Sequence, residues 1–351
     1  MSGPDPYRWE FKARFRRHAF GWRSQPAVQR VKQAVTEIKR VARRDPLLGA
    51  EGAVTFLERV SPALEHVDSS SGAIGTAVHH AIEQLVPVVA GAAADAKTRN
   101  GWLDRLWAAH EADQMPYIES LAEHWGALCA SQQVASAWAD RLVDVTRMAL
   151  SPDPALHGYF HGTSACMSAL YAAEHYQEIV EILDVDTIWP YKRWAVRALA
   201  ATGKKAEAVR YAESCRGPWT YDDEVDAMCE EMLLSSGLVD EAYSRYGLRA
   251  NRRGTYLATF RAIAKKYPQR CPRALGRPRG DDAGRGGEMV RRSQGSRSLR
   301  RGARARQRRP LRPEDAQSGL SRLHREPTRL RPRCRASRPA LARERVRLRD
   351  H

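Results

Sequence analysis

Three stretches decide the fold: YAAEHYQEIVEIL (171–183), LAATGKKAEAVRYA (199–212) and LLSSGLVDEAYSRY (233–246). In each, a helix of small residues ends, the chain turns, and a Glu opens the next apolar stripe. Aligned on Glu178, Glu207 and Glu241, the units lie 29 and 34 residues apart. Gly203 and Gly237 stand four residues before their Glu, and Glu174 fills the equivalent place in the first unit. The reason is geometric. A tight turn between antiparallel helices needs a residue at positive φ, which Gly adopts without steric cost. Ala208 and Ala242 suit a close helix crossing. One such pair cannot bury its own apolar face, so pairs stack.

These units resemble the tetratricopeptide class of helical hairpin, whose signature includes a Gly in the turn and an Ala in the second helix. The match covers about 159–267, and its aromatic and Pro positions are irregular. The whole of 7–267 is also similar to an uncharacterised family of bacterial all-helical proteins. That resemblance implies a fold and no activity.

Outward from the repeats, helical periodicity continues to the N-terminus. Val28, Val31, Val35, Ile38 and Val41 recur at three- and four-residue spacing, and Asp45-Pro46 breaks the run. Further helices are read at 48–60, from the Asp68–Gly72 cluster to about Ala90, and at 101–112, 116–130 and 133–150. Strand signals are missing: there is neither β-branched alternation nor an Asn-Gly hairpin. Ser151–Pro154 reads as a linker. The predicted architecture is all-α: a helical-bundle or HEAT-like region at 1–150, tetratricopeptide-like hairpins forming an α-solenoid at 155–268, and a disordered basic tail from 269 to 351.

The charge is unevenly placed. The formal net charge is +17. From Arg270 to His351 there are 26 Arg, no Lys and 8 Asp or Glu, whereas residues 1–269 hold 32 Lys or Arg against 33 Asp or Glu. A genuine basic arm usually mixes Lys with Arg, so a shifted reading frame in GC-rich DNA is the sharper reading. Moved forward one base, codons around Met289-Val290 allow GKWFAAAK, those through Arg300-Arg301 allow GLYDEA, and those for Arg345–His351 allow GYGYEI. The second of these is the Gly-x-x-x-Glu-Ala turn of the repeats themselves.

Chemistry-bearing patterns are weak. The six Cys form no CxxC pair and read as small apolar residues in a reducing compartment. His157 and His161 have helical i, i+4 spacing, but HGYFHG carries two Gly and lacks the Glu of HExxH. His79 and His80 are adjacent and point to different faces. Asp68-Ser-Ser-Ser-Gly72-Ala-Ile-Gly75 lacks the Lys and spacing of a phosphate-binding loop and reads as a helix start. With no catalytic constellation, metal set or cofactor fingerprint, the chain is read as a cytoplasmic, non-enzymatic scaffold without a cofactor. It would bind a protein or peptide on the repeat surface, with Tyr191, Arg193 and Trp194 as anchors. The rival reading is a nucleic-acid binder using YRWEFKARFRRHAFGWR: Arg14, Arg16, Arg17 and Arg23 for phosphates, Trp9 and Trp22 for stacking, helped non-specifically by the tail. The bland alternative for that segment is a first amphipathic helix that caps the solenoid. No apolar run is long enough to span a bilayer.

Overall fold

The computed structural model describes residues 7–185, 187–217 and 220–270. The tail predictions from Cys271 onward lie outside these residues. Among them the secondary structure is entirely helical, with 14 α-helices and one 3₁₀ segment.

The N-terminal helices are α1 (Glu10–Arg14), α2 (Ser24–Ala42), α3 (Pro46–Leu64) and α4 (Ala73–Ala90). The last three pack mutually. Asp45, read as a breaker, is the N-cap of α3: its carboxylate accepts the Leu48 N–H at 2.9 Å, and Pro46 occupies the first turn. α3 runs through the centre and buries twelve of its residues. Gly52 leaves room for the Trp9 indole, since a Cβ there would come within 2.2 Å of the ring.

The segment 7–25 is not one amphipathic helix. Only α1, five residues long, is helical, and the chain turns away at His18 with φ 54°. The cause is tertiary. Glu37 of α2 caps α1, accepting the N–H groups of Glu10 at 2.9 Å and Phe11 at 3.2 Å. Trp9, Phe11 and Phe15 are then drawn into the core against Phe56 and Gly52.

α5 (Ala96–Glu111) begins five residues earlier than its apolar stripe suggests, because Asp95 caps it through the Thr98 N–H. The helix expected at 116–130 is split into a 3₁₀ segment, Glu119–His124, and α6 (Trp125–Cys129). α7 (Gln132–Ala149) follows.

The repeats then appear as three helix pairs: α8 (Thr163–Ala172) with α9 (Tyr176–Ile182), α10 (Trp189–Ala201) with α11 (Lys205–Ser214), and α12 (Asp222–Leu234) with α13 (Val239–Tyr246). Their turns share one hydrogen-bond pattern. Glu174, Gly203 and Gly237 have φ of 62°, 83° and 74°. The next N–H reaches back five residues each time: His175 to Leu170, Lys204 to Leu199 and Leu238 to Leu233, all at 3.0 Å. This is the Schellman motif, with the left-handed residue just past the helix end. Five residues after each left-handed position, Ile179, Ala208 and Ala242 are fully buried. α14 (Tyr256–Lys266) ends the described fold.

The core does not divide at Ser151–Pro154. One buried cluster runs from Trp9 to Ala198, and a second from Trp189 to Tyr267. They meet on α10, which gives Trp194, Ala195 and Ala198 to the first and Trp189, Val196 and Leu199 to the second.

Candidate functional site

α10 starts at an extended Ile188 (φ −80°, ψ 154°), and Pro190 sits in its first turn, where the missing N–H costs nothing. The Trp residues of this segment are packing groups. Trp189 and Trp194 are only 2% and 4% exposed. Trp194 lies 5.9 Å from the Tyr171 ring and under the Arg197 guanidinium at 4.8 Å, while its indole Nε1–H finds no acceptor among the described residues. Tyr191 is half-buried beside Thr163, and burial raises its phenol. Of the three anchors read from sequence, Arg193 is the one that lines the groove between α10 and α12. Its Nε donates to the Pro190 carbonyl at 3.1 Å, and its Nη2 pairs with Glu123.

That groove runs between α10 and α12 and encloses about 660 Å³. Ala227 and Met228, half-buried on one face of α12, form its floor, and exposed Glu224 and Glu231 stand on either side of them. Arg193 closes one side and Lys266, at the end of α14, lines another part. Lys266 is already committed to the buried Glu230 carboxylate at 2.5 Å. Among the described residues, neither Glu224 nor Glu231 makes a side-chain hydrogen bond or an ion pair.

A second concavity, about 330 Å³, lies between α1 and α2. Arg14, Arg30, Lys32 and Arg40 line it together with Glu10 and Glu37. Arg14 is the one residue of the nucleic-acid reading found there, and it contacts Gln33 at 3.3 Å and Glu10 at 3.7 Å. Arg16 donates to the Ala13 carbonyl, and Arg17 faces Glu65 at 3.8 Å. Arg23 is exposed and precedes α2. Trp22 is 72% exposed, whereas Trp9 is 8% exposed and cannot stack on a base.

The histidine patterns resolve differently from their spacing. His157 and His161 are not on a helix. His157 Nδ1 meets the Ser151 carbonyl at 3.0 Å, while His161 stacks on Trp107 with ring centroids 5.6 Å apart. His161 instead neighbours His110, whose Nε2 meets the His161 carbonyl at 3.3 Å. Burial holds His110 below the usual imidazole range. His79 and His80 both turn to Glu83, at 3.4 and 2.9 Å. At the Ser-rich loop, the Asp68 carboxylate accepts the Ser70 N–H, so a negative charge already sits beside the start of α4. That backbone bond keeps the Asp68 carboxyl below its ordinary value. Among the described residues no group of three or more ligating side chains is placed to hold a metal.

Periodicity missed buried charges, Arg99 and Glu230 among them. Arg99 on α5, 4% exposed, donates to the carbonyls of Val89 and Ala92, each at 2.6 Å, and of Leu128 at 3.3 Å. It thereby satisfies the ends of α4 and α6, although burial lowers its pKa. Glu230, fully buried, accepts from Asn251 at 2.6 Å, Lys266 at 2.5 Å and Tyr267 at 2.7 Å. Cys129, Cys166 and Cys229 are buried and free, and burial pushes the first two thiols up to about 12. Comparison with protein-family models, curated proteins and solved structures gave no match. Among the described residues no helix is long and apolar enough to cross a membrane.

Proposed function

We propose that this chain is a non-enzymatic helical-repeat scaffold that holds a peptide, or a segment of another protein, in the groove between α10 and α12. In this reading the pairs from α8 onward are tetratricopeptide-type hairpins, and the helices before them pack in HEAT-like fashion. The observation that carries the reading is the groove itself. It exposes a half-buried apolar floor on a repeat helix, flanked by polar groups that can orient a ligand. The repeated Schellman turns support it, because equivalent turns set equivalent helices side by side.

A selection with random 12-residue peptides displayed on phage, run against the full chain, tests the proposal. Enriched peptides are expected to compete for one site and to lose binding to Ala227→Trp, which fills the groove, and to Ser235→Trp at its exposed edge. Enriched peptides that bind both variants as they bind the parent would refute the groove. The second reading, nucleic-acid binding, is favoured by the four basic side chains of the α1–α2 concavity. That concavity has half the volume, and its Arg14 and Arg30 already contact Gln33.

A further inference from the structure

The unpaired charges of the α10–α12 groove are both negative, and we infer that its ligand is a basic peptide: an apolar side chain flanked by two lysines or arginines. The inference rests on the groove reading above and adds the chemistry of the occupant. On α12, Glu224, Ala227, Met228 and Glu231 follow i, i+3, i+4, i+7 spacing, which places all four on one face. Seven residues of helix separate the two carboxylates by about 10.5 Å along the axis. Between them lies the apolar floor.

The cations nearby do not reverse this sign. Arg193 is held by Glu123, and Lys266 by Glu230. Arg197, one turn beyond Arg193, is half-buried and lies over the Trp194 ring. Burial first, then Arg193, disfavours its charged form, while Glu231 favours it. Glu224 and Glu231 remain exposed carboxylates without a cation in contact among the described residues. Charges of this kind set the identity of a partner more than its raw affinity.

An extended peptide meets the pattern. Residues i, i+2 and i+4 of an extended chain share one face, and i to i+4 spans about 13 Å. A lysine at each end can bend inward to the carboxylates while the central apolar side chain enters between Ala227 and Met228. An acidic peptide would place like charges against both rims.

The test uses the full chain and two fluorescein-labelled probes read by anisotropy. One is Gly-Ser-Lys-Ser-Leu-Ser-Lys-Ser-Gly; the other has glutamate in place of both lysines. The lysine probe is expected to bind at least tenfold more tightly in low salt, with the ratio shrinking at high salt. Glu224→Lys combined with Glu231→Lys should invert the preference, and both sites are exposed enough for the fold to survive. Melting curves for the variants verify that point. If the probes bind equally and both are lost with Ala227→Trp or Ser235→Trp, the groove stands and the charge inference is wrong. If the lysine probe binds those two variants like the parent, or neither probe binds, the groove reading fails as well.

Discussion

At the level of single residues, the three left-handed positions give the most direct experiment. A Cβ added at Gly203 or Gly237 would meet nothing within 4 Å, so any cost of substitution there is backbone strain rather than a clash. Gly203→Val and Gly237→Val should each destabilise the protein by roughly 1–2 kcal/mol. Glu174 occupies the same conformation with a side chain that makes no hydrogen bond or ion pair among the described residues. Glu174→Gly should therefore stabilise by about 0.5–1 kcal/mol, the relieved strain exceeding the added unfolded-state entropy. Denaturant melts decide it, and a destabilised Glu174→Gly would remove the argument. His110 gives a pH prediction. Burial lowers its folded pKa below the unfolded value, and His124 is shifted the same way for the same reason. The unfolded chain then binds more protons as pH falls through the ordinary imidazole range, about 6.5, so stability present above that range is lost below it. Melting temperatures between pH 7.5 and pH 5.5 should fall, and less steeply in His110→Gln. An equal slope in parent and variant would place the acid sensitivity elsewhere.

Among the helices, local sequence told which faces were apolar but not which neighbour each face would meet. The valine spacing of α2 and the Gly-x-x-x-Glu turns were legible because both are set within a few residues. The brevity of α1 was not, because Glu37, some 27 residues away, supplies its cap. Trp189 and Trp194 read as interface anchors for a similar reason. Composition cannot distinguish a Trp facing solvent from one wedged between helix pairs, and α10 is buried on two sides. Of the groove, Arg193 was legible, while the α12 face that completes it carries no motif. Buried charges are the least legible feature, since isolated Arg99 and Glu230 look like ordinary surface residues in helical stretches. Glu230 has a measurable role. α14 buries only Thr259 within its own length, leaves Leu257 half-exposed, and is tied to α12 through Lys266 and Tyr267. Glu230→Ala would strand the buried donors of Asn251 and Tyr267 and release the half-exposed Lys266, and should cost roughly 3 kcal/mol. Hydrogen exchange should show α14 losing protection first while α10 and α12 keep theirs. Unchanged protection across α14 would mean that apolar packing alone holds it.

For the molecule as a whole, the question is whether its charge or its groove defines its partner. A formal charge of +17 suggests nucleic acid, yet residues 1–269 carry one more acidic than basic residue. Phosphate binding draws its energy from counterion release, which scales with the number of phosphates neutralised. The α1–α2 concavity offers four basic side chains with two carboxylates among them, and Trp22 is the one exposed Trp of that segment. Such a patch is too small to hold a duplex at physiological salt. A chain ending at Arg270 should therefore bind neither a 20-base-pair duplex nor a 20-nucleotide single strand more tightly than about 100 μM at 0.15 M salt, the weak end of non-specific affinity. The full chain, with 25 more Arg, should bind both without regard to sequence and with a steep salt dependence. Anisotropy titrations at three salt concentrations separate the cases. Micromolar, salt-sensitive binding by the shorter chain that disappears in Arg14→Glu combined with Arg40→Glu would overturn the groove proposal in favour of the N-terminal concavity. Absence of such binding would remove the rival reading and leave the proposed α10–α12 groove, whose two carboxylates without an ion pair among the described residues suit a basic peptide for the same reason that they repel a phosphate backbone.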